Sequence, residues 1–240
     1  MPSKAIPYFK AAVHILCLLP AAYLWDLYRS HKLVAFADPV NYITHFTGDW
    51  ALWLLLVTLA VTPVRRLHPS LNWLIRFRRM LGLYAFFYAT LHLLTYVFLF
   101  SGYDVPAAIA GVRKWHLMEP LVQLNAVLPS MLDDAEKRRF IQVGLAAWLL
   151  LLTLAVTSTQ ASIRSLGGWV WQGIHRLIYV AAILAVIHYW WLVKAGVRTP
   201  LKDTLVLAVL LLWRLGLWAT KRTKAKARER RLWSEDQAIR

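Results

Sequence analysis

Residues 174–193, IHRLIYVAAILAVIHYWWLV, decide how this chain folds. About 20 apolar helical residues cross the roughly 30 Å hydrocarbon core of a bilayer, and this run is uncharged after Arg176. Residues 80–100, MLGLYAFFYATLHLLTYVFLF, form a second run of the same kind. Each carries an imidazole deep inside it, His188 in one and His92 in the other. A titratable ring at that depth is rare unless it faces a partner or a cofactor, so both are candidate functional residues.

The two runs belong to a repeat. Thr58-Leu59-Ala60-Val61-Thr62 recurs as Thr153-Leu154-Ala155-Val156-Thr157, each copy closing one apolar segment ahead of another. Thr62 precedes His92 by 30 positions and Thr157 precedes His188 by 31. If each unit is helix, loop and helix, the two second helices run the same way and their histidines sit at one depth. Two imidazoles at one level on neighbouring helices suit the two axial positions of a haem iron.

Working outward, the chain of 240 residues is 59% hydrophobic, with mean hydropathy +0.48 and 13 Trp. That exceeds what a soluble domain carries and predicts an all-α, polytopic membrane bundle. The candidate spans are 9–28, 50–64, 80–100, 140–157, 174–193 and 204–219, six in total. Residues 1–220 form the bundle and 221–240 a basic tail, with no room for a separate soluble domain. Trp50, Trp169, Trp171, Tyr189, Trp190, Trp191 and Trp218 gather at predicted span ends, as interfacial anchors do. The stretch opening Met1-Pro2-Ser3-Lys4 contains Asp26 and lacks a small-residue cleavage pattern, so it reads as a retained first helix.

The net charge of +16 raises the question of nucleic acid, but its distribution argues against it. Arg65, Arg66, Arg76, Arg78 and Arg79 lie between the second and third spans. Lys221, Arg222, Lys224, Lys226, Arg228, Arg230 and Arg231 follow the last. Alternating helices put both clusters on one side, which the positive-inside rule makes cytoplasmic, together with both termini. Asp38, Asp49, Asp104, Glu119, Asp133, Asp134 and Glu136 fall towards the other side. The tail reads as a topology signal and a contact for anionic lipid. Cys17 is the sole cysteine, which excludes an internal disulfide and a Cys-x-x-Cys-His attachment, so a bound haem is of the non-covalent b type.

Of the remaining histidines, His31, His45, His68 and His116 fall in predicted loops or at helix ends, where a solvated ring is expected. His14 lies inside the first span as a packed histidine or an accessory ligand. His175 is the third serious candidate. It precedes His188 by 13 residues, about 20 Å of helical rise, a separation that suits two redox centres stacked through the membrane. Thirteen residues before His92, however, stands Arg79. Arginine offers no neutral nitrogen, so a symmetric inner ligand is missing. Arg78, Arg79 and Arg176 are candidates to hold a haem propionate or a phosphate through charge-assisted contacts, or simply flank helix ends.

These residues carry a resemblance. The strings Thr47-Gly48-Asp49-Trp50-Ala51-Leu52, Arg78-Arg79-Met80-Leu81-Gly82-Leu83, Leu91-His92, and Trp171-Gln172-Gly173-Ile174-His175-Arg176-Leu177-Ile178-Tyr179 with His188-Tyr189 are similar to the MsrQ (formerly YedZ) family. That family lies within the ferric reductase-like transmembrane superfamily. The resemblance covers residues 44–192 and implies a bacterial inner-membrane protein with b-type haem on His92, His175 and His188, and a flavin mononucleotide (FMN). It also implies electron delivery to a periplasmic, molybdopterin-containing methionine sulfoxide reductase subunit that repairs oxidised proteins. Segment 101–139 is longer than this loop usually is in the family, which bears on the partner contact.

The expected function is therefore an electron conduit, with a cytoplasmic flavin reductase or quinol as donor, one or two haems, and no terminal catalytic site in this chain. Two histidines on one iron leave no open position, which favours electron transfer over substrate binding. The enzyme alternative is a ferric reductase or other haem-based transmembrane oxidoreductase. It requires a dehydrogenase domain or a separate flavin reductase partner, and no Gly-x-Gly-x-x-Gly follows a strand-like segment here. A transporter or structural subunit is a third class, which would leave the paired histidines without a cofactor.

Overall fold

The computed structural model describes residues 5–194 and 196–239, and these residues form helices without a strand. Residues 1–4, and the side chains of Lys221, Lys224, Arg228 and Arg231 in the basic tail, lie outside the described residues. In chain order the helices are α1 (Ile6–Arg29), α2 (Pro39–Val64), α3 (Arg78–Thr95), α4 (Val105–Arg113), α5 (Glu119–Lys137), α6 (Arg139–Val156), α7 (Gln160–His175), α8 (Leu177–Leu192) and α9 (Leu201–Ile239). Six stretches are long and apolar enough to cross a membrane: Ile6–Arg29, Pro39–Val64, Arg78–Phe100, Arg139–Val156, Gln160–Leu192 and Leu201–Thr220. The chain is a multi-pass, all-helical membrane bundle, as its composition requires.

The repeat is visible as two helix pairs, α2 against α3 and α6 against α8, with α3 also packed on α6. Leu55 and Leu59 of α2, Ala85 and Tyr88 of α3, Leu151 and Leu154 of α6, and Ala181, Ala182 and Val186 of α8 form the core. Ala85, Ala181 and Ala182 are fully buried. In a bundle whose surroundings are as apolar as its interior, such small residues let helices approach and gain dispersion contacts. The flanking helices keep large apolar groups on the outside, including Leu16, Leu19 and Trp25 of α1 and Val209, Leu212 and Leu215 of α9, as lipid-facing surfaces do.

Tyr88 ties α1 to this core. Its hydroxyl donates to the Cys17 carbonyl (2.7 Å) and accepts from the Ala21 amide (3.1 Å). A regular helix would join that carbonyl and amide directly. Pro20 lies between them, and its ring crowds the preceding turn, so a side chain from α3 bridges the opened rung.

Four differences from the sequence expectation matter. First, α2 begins at Pro39, not at residue 50. Asp38 caps it by accepting from the Asn41 amide (2.9 Å), and a proline occupies the first turn. This places His45, expected at a loop or helix end, inside α2. Second, segment 101–139, expected as a loop, folds into α4 and α5. Asp104 caps α4 through the Ala107 amide (2.8 Å), and Pro106 and Pro120 sit in the two first turns.

Third, His175 ends α7 and does not open the helix of His188. The Arg176 amide and carbonyl make i→i−3 bonds to Gly173 and Tyr179, so the ladder tightens at the join. A second break in α7 lies at Gly167, whose φ of 73° is accessible to glycine without strain. Fourth, the last span continues without interruption through residue 220 into the tail.

Candidate functional site

The structure brings His92 of α3 and His188 of α8 together, with ring centroids 5.9 Å apart and ring planes at 83°. With metal–imidazole bonds of about 2 Å, two rings on opposite sides of one ion have centroids roughly 6 Å apart. The pair is built twice over in the same way. The Nδ1–H of His92 donates to the Thr44 carbonyl (3.0 Å), and that of His188 to the Phe140 carbonyl (2.7 Å). A carbonyl can only accept, so each Nδ1 must carry the proton and each Nε2 keeps its lone pair for a metal. Such an outer contact also orients the ring and raises its basicity.

Both acceptors lie 48 positions upstream of their histidine. The glycines that admit the rings keep register too. A Cβ on Gly48 would come within 3.1 Å of the His92 Nδ1, and one on Gly144 within 2.6 Å of the His188 Nδ1. Each ring therefore lies against bare helix backbone. On the α3 side the frame continues, with Thr44 Oγ1 donating to Thr95 Oγ1 (3.1 Å) and Thr95 Oγ1 donating to the His92 carbonyl (2.7 Å).

These donors fit a haem better than a bare ion. Among the described residues no group of three or more His, Cys, Asp or Glu is placed to hold a metal. Two imidazoles need the further ligands that a porphyrin supplies.

The other sequence candidates lie at the opposite end of the bundle, 13 residues or about 20 Å of helix away. A cavity of about 420 Å³ there is lined by Arg78, Arg79, Trp171, His175, Arg176 and Tyr179, with Thr58, Leu55, Leu151 and Leu154 on its apolar side. His175 stacks on Trp171 with centroids 3.9 Å apart, and its Nδ1–H donates to the Trp171 carbonyl (3.1 Å). Its Nε2 lies 3.4 Å from Ser158 Oγ, while Arg79 donates to the Ser158 carbonyl (3.2 Å). Arg79 and His175, equivalent in the repeat, thus meet across one residue. No carboxylate is among the residues lining this cavity.

The remaining histidines take other roles. His14 bonds the Tyr84 hydroxyl (2.7 Å), and its ring meets that tyrosine edge-on. The His68 Nδ1 accepts from the Ser70 amide at a helix start. His45 lies beside Tyr189, ring centroids 6.5 Å apart. His31 occupies a left-handed turn and His116 is exposed in the link between α4 and α5.

The sequence reading missed Thr44, Gly48, Phe140 and Gly144 as parts of the site. A signal existed, because 44 and 140, 48 and 144, and 92 and 188 are all 96 positions apart. The repeat was aligned on its threonine motifs, which are 95 apart. One residue fewer in α6 between its glycine and its threonines hides the correspondence.

Comparison with known proteins agrees with this architecture. The model of the family "Ferric reductase like transmembrane component" matches residues 47–186, a stretch holding Gly48, His92, Gly144 and His175. A protein of Xanthomonas oryzae pv. oryzae (strain MAFF 311018) named protein-methionine-sulfoxide reductase heme-binding subunit MsrQ is 43% identical over 231 residues. The match covers 93% of this chain and 94% of that one. Like-named proteins of Herminiimonas arsenicoxydans (43% over 222 residues, 91% and 89% covered) and Ralstonia nicotianae (42% over 217 residues, 90% and 87% covered) are similar. A duplicated helix pair ending in facing imidazoles, joined to identity of this extent along nearly the whole chain, makes this protein a member of the MsrQ family within the ferric reductase-like transmembrane proteins.

Proposed function

We propose that the chain is a membrane b-type cytochrome that carries electrons across the bacterial inner membrane to a periplasmic methionine sulfoxide reductase subunit. The observation that carries this reading is the matched locking of His92 and His188. Both Nδ1–H groups are spent on carbonyls, and two Nε2 lone pairs remain on rings of α3 and α8 that face each other. The relatives' name, heme-binding subunit of protein-methionine-sulfoxide reductase, supports both the haem and the pathway's end.

A bound haem b supplies a one-electron couple. The residues around it do the rest. His92 and His188 would hold the haem iron through their Nε2 lone pairs and would keep oxygen or substrate off it. Gly48 and Gly144 let their rings seat against α2 and α6, and the Thr44 and Phe140 carbonyls keep the protons on Nδ1. The hydrogen-bonded frame fixes both rings, which would limit rearrangement during electron transfer.

At the other end, His175, Arg78, Arg79 and Arg176 surround the cavity where electrons enter. A cytoplasmic flavin reductase or quinol is the donor, and these residues would hold FMN or a second haem. Both termini and the arginine-rich links are cytoplasmic, following the positive-inside rule. α4 and α5 face the periplasm, where the molybdopterin-containing partner docks. The sulfoxide chemistry belongs to that partner.

A ferric reductase-like activity with a separate flavin reductase is the second reading, favoured by the family matched over residues 47–186. A reduced-minus-oxidised spectrum with a haem-to-protein ratio on the detergent-purified chain tests the common core. A low-spin b-type spectrum at one or two haems per chain is expected, and a colourless protein overturns it. Reduced chain that passes electrons to ferric chelates but not to the periplasmic subunit favours the second reading.

A further inference from the structure

Arg214 stands inside the last membrane span, in the run LLLWRLGLW of α9, seven positions before the tail begins. An arginine there is rare without a partner or a function. Its Nη1 donates to the Tyr179 hydroxyl, and its guanidinium lies 4.8 Å from the Tyr179 ring centroid. Its Nε and Nη2 are buried and have no hydrogen-bond partner among the described residues. The Nε of Arg65, at the end of α2, is buried and unbonded as well. Tyr179 also lines the 420 Å³ cavity that holds His175, so Arg214 lies behind a wall residue of that cavity without lining it itself.

A buried guanidinium with unmet donors is costly unless an acceptor reaches it. The carboxylates of this end, Glu229, Glu235 and Asp236, stand in the tail beyond the last span. No Asp or Glu occurs before Asp26, between Asp49 and Asp104, between Glu136 and Asp203, or between Asp203 and Glu229. Arg65, Arg66 and Arg78 add like charge around Arg214. An external anion is the kind of group that would meet such donors. The planar fork of arginine, with two adjacent N–H groups free, matches the oxygens of a phosphate in bidentate fashion.

We propose that Arg214 and Arg65 form a phosphate-binding subsite beside the cavity, behind Tyr179, where α9 meets α2 and α8. Its ligand is a phosphate ester, either the phosphomonoester of a flavin nucleotide seated in the cavity or the headgroup phosphate of an anionic lipid at the membrane face. Only the first source rests on the reading of this cavity as the place where electrons enter. The subsite itself does not depend on haem.

The test uses the full chain purified in detergent, with Arg214→Gln, Arg214→Lys and Arg65→Gln variants. The thermal midpoint is followed against inorganic phosphate, with chloride at matched ionic strength as reference. Wild type should rise by several degrees in phosphate alone, Arg214→Gln and Arg65→Gln should lose the rise, and Arg214→Lys should keep part of it. No phosphate-specific rise in wild type, or an undiminished rise in Arg214→Gln, overturns the subsite, and the wild-type arm stands even if a variant fails to fold.

Retained FMN and retained phospholipid, assayed per chain, separate the sources. An Arg214→Gln sample that loses its flavin at least fivefold identifies the nucleotide, and one that loses anionic phospholipid instead identifies the lipid. A variant that keeps wild-type amounts of both overturns the subsite. The His92/His188 haem spectrum, recorded in parallel, reports failure of the conduit reading separately.

Discussion

The two ends of the bundle come from one repeat and carry different chemistry. At one end, positions 92 and 188 are both histidines, each locked to a carbonyl 48 residues upstream and seated against a glycine. At the other, the equivalent positions 79 and 175 hold an arginine and a histidine that meet across Ser158. The sequence positions correspond at both levels, although Arg79 lies in the first turn of α3 and His175 in the last turn of α7. A single change of side chain converts a pair of neutral nitrogen donors into a cation beside an imidazole, a pairing that favours an anionic group over a second bis-imidazole metal. Symmetry of fold therefore does not carry symmetry of cofactor. The symmetric end is suited to holding an iron with little rearrangement, and the asymmetric end to receiving a charged molecule.

The largest effects are expected at the symmetric end. On the proposed function, His92→Ala or His188→Ala removes one of two equivalent ligands, so either variant should lose the low-spin spectrum at comparable severity. Retention of that spectrum in one variant but not the other would show that the two halves are not equivalent.

Next come the glycines, where the two halves differ in tightness. Gly144→Ala places a Cβ against the His188 ring at 2.6 Å and Gly48→Ala places one against His92 at 3.1 Å. The first should lower the haem-to-protein ratio severalfold and the second by a smaller factor. The order of the two is the point at issue, and a reversed order would mean that α6 yields more readily than α2.

His175→Ala addresses the other end. It should keep the His92/His188 haem and its reduction by dithionite, while losing reduction by a cytoplasmic flavin-dependent donor. If the variant loses all haem while His188→Ala keeps a full complement, the roles of the two ends must be exchanged.

The smallest effect serves as a control between the ends. Tyr88→Phe removes the bridge across the Cys17 and Ala21 rung and should reduce stability by about 1–2 kcal/mol in detergent unfolding. It should leave the haem content and the donor kinetics equally unchanged. A selective loss at one end would place Tyr88 in that end's machinery.

The number of crossings, the helix repeat and the pairing of His92 with His188 as equivalent positions were legible in the chain because lipid enforces long apolar runs and any buried imidazole interrupts them visibly. The asymmetry at Arg79 was legible for the same reason, since it needs only counting. Hydropathy fails where a helix is polar at its start. Residues 39–49 contain Asn41, Thr44, His45, Thr47 and Asp49, so the first three turns of α2 were read as loop although Asp38-Pro39 marks a capped start. The same bias hid α5, while α4, apolar but only nine residues long, is too short to register as a span.

Side-chain placement lay beyond any reading of the string. Which carbonyl each Nδ1 meets depends on how closely α2 approaches α3 and α6 approaches α8. That distance is set by Gly48 and Gly144 together with the packing of Ala85, Ala181 and Ala182 in the core. The unmet donors of Arg214 likewise arise from α9 lying against α2 and α8, remote in sequence from everything they face. Composition and spacing report the depth of a residue along its own helix, because rise per residue is constant. Which neighbour it faces is a property of helix approach and rotation, which emerges only when all the helices pack at once.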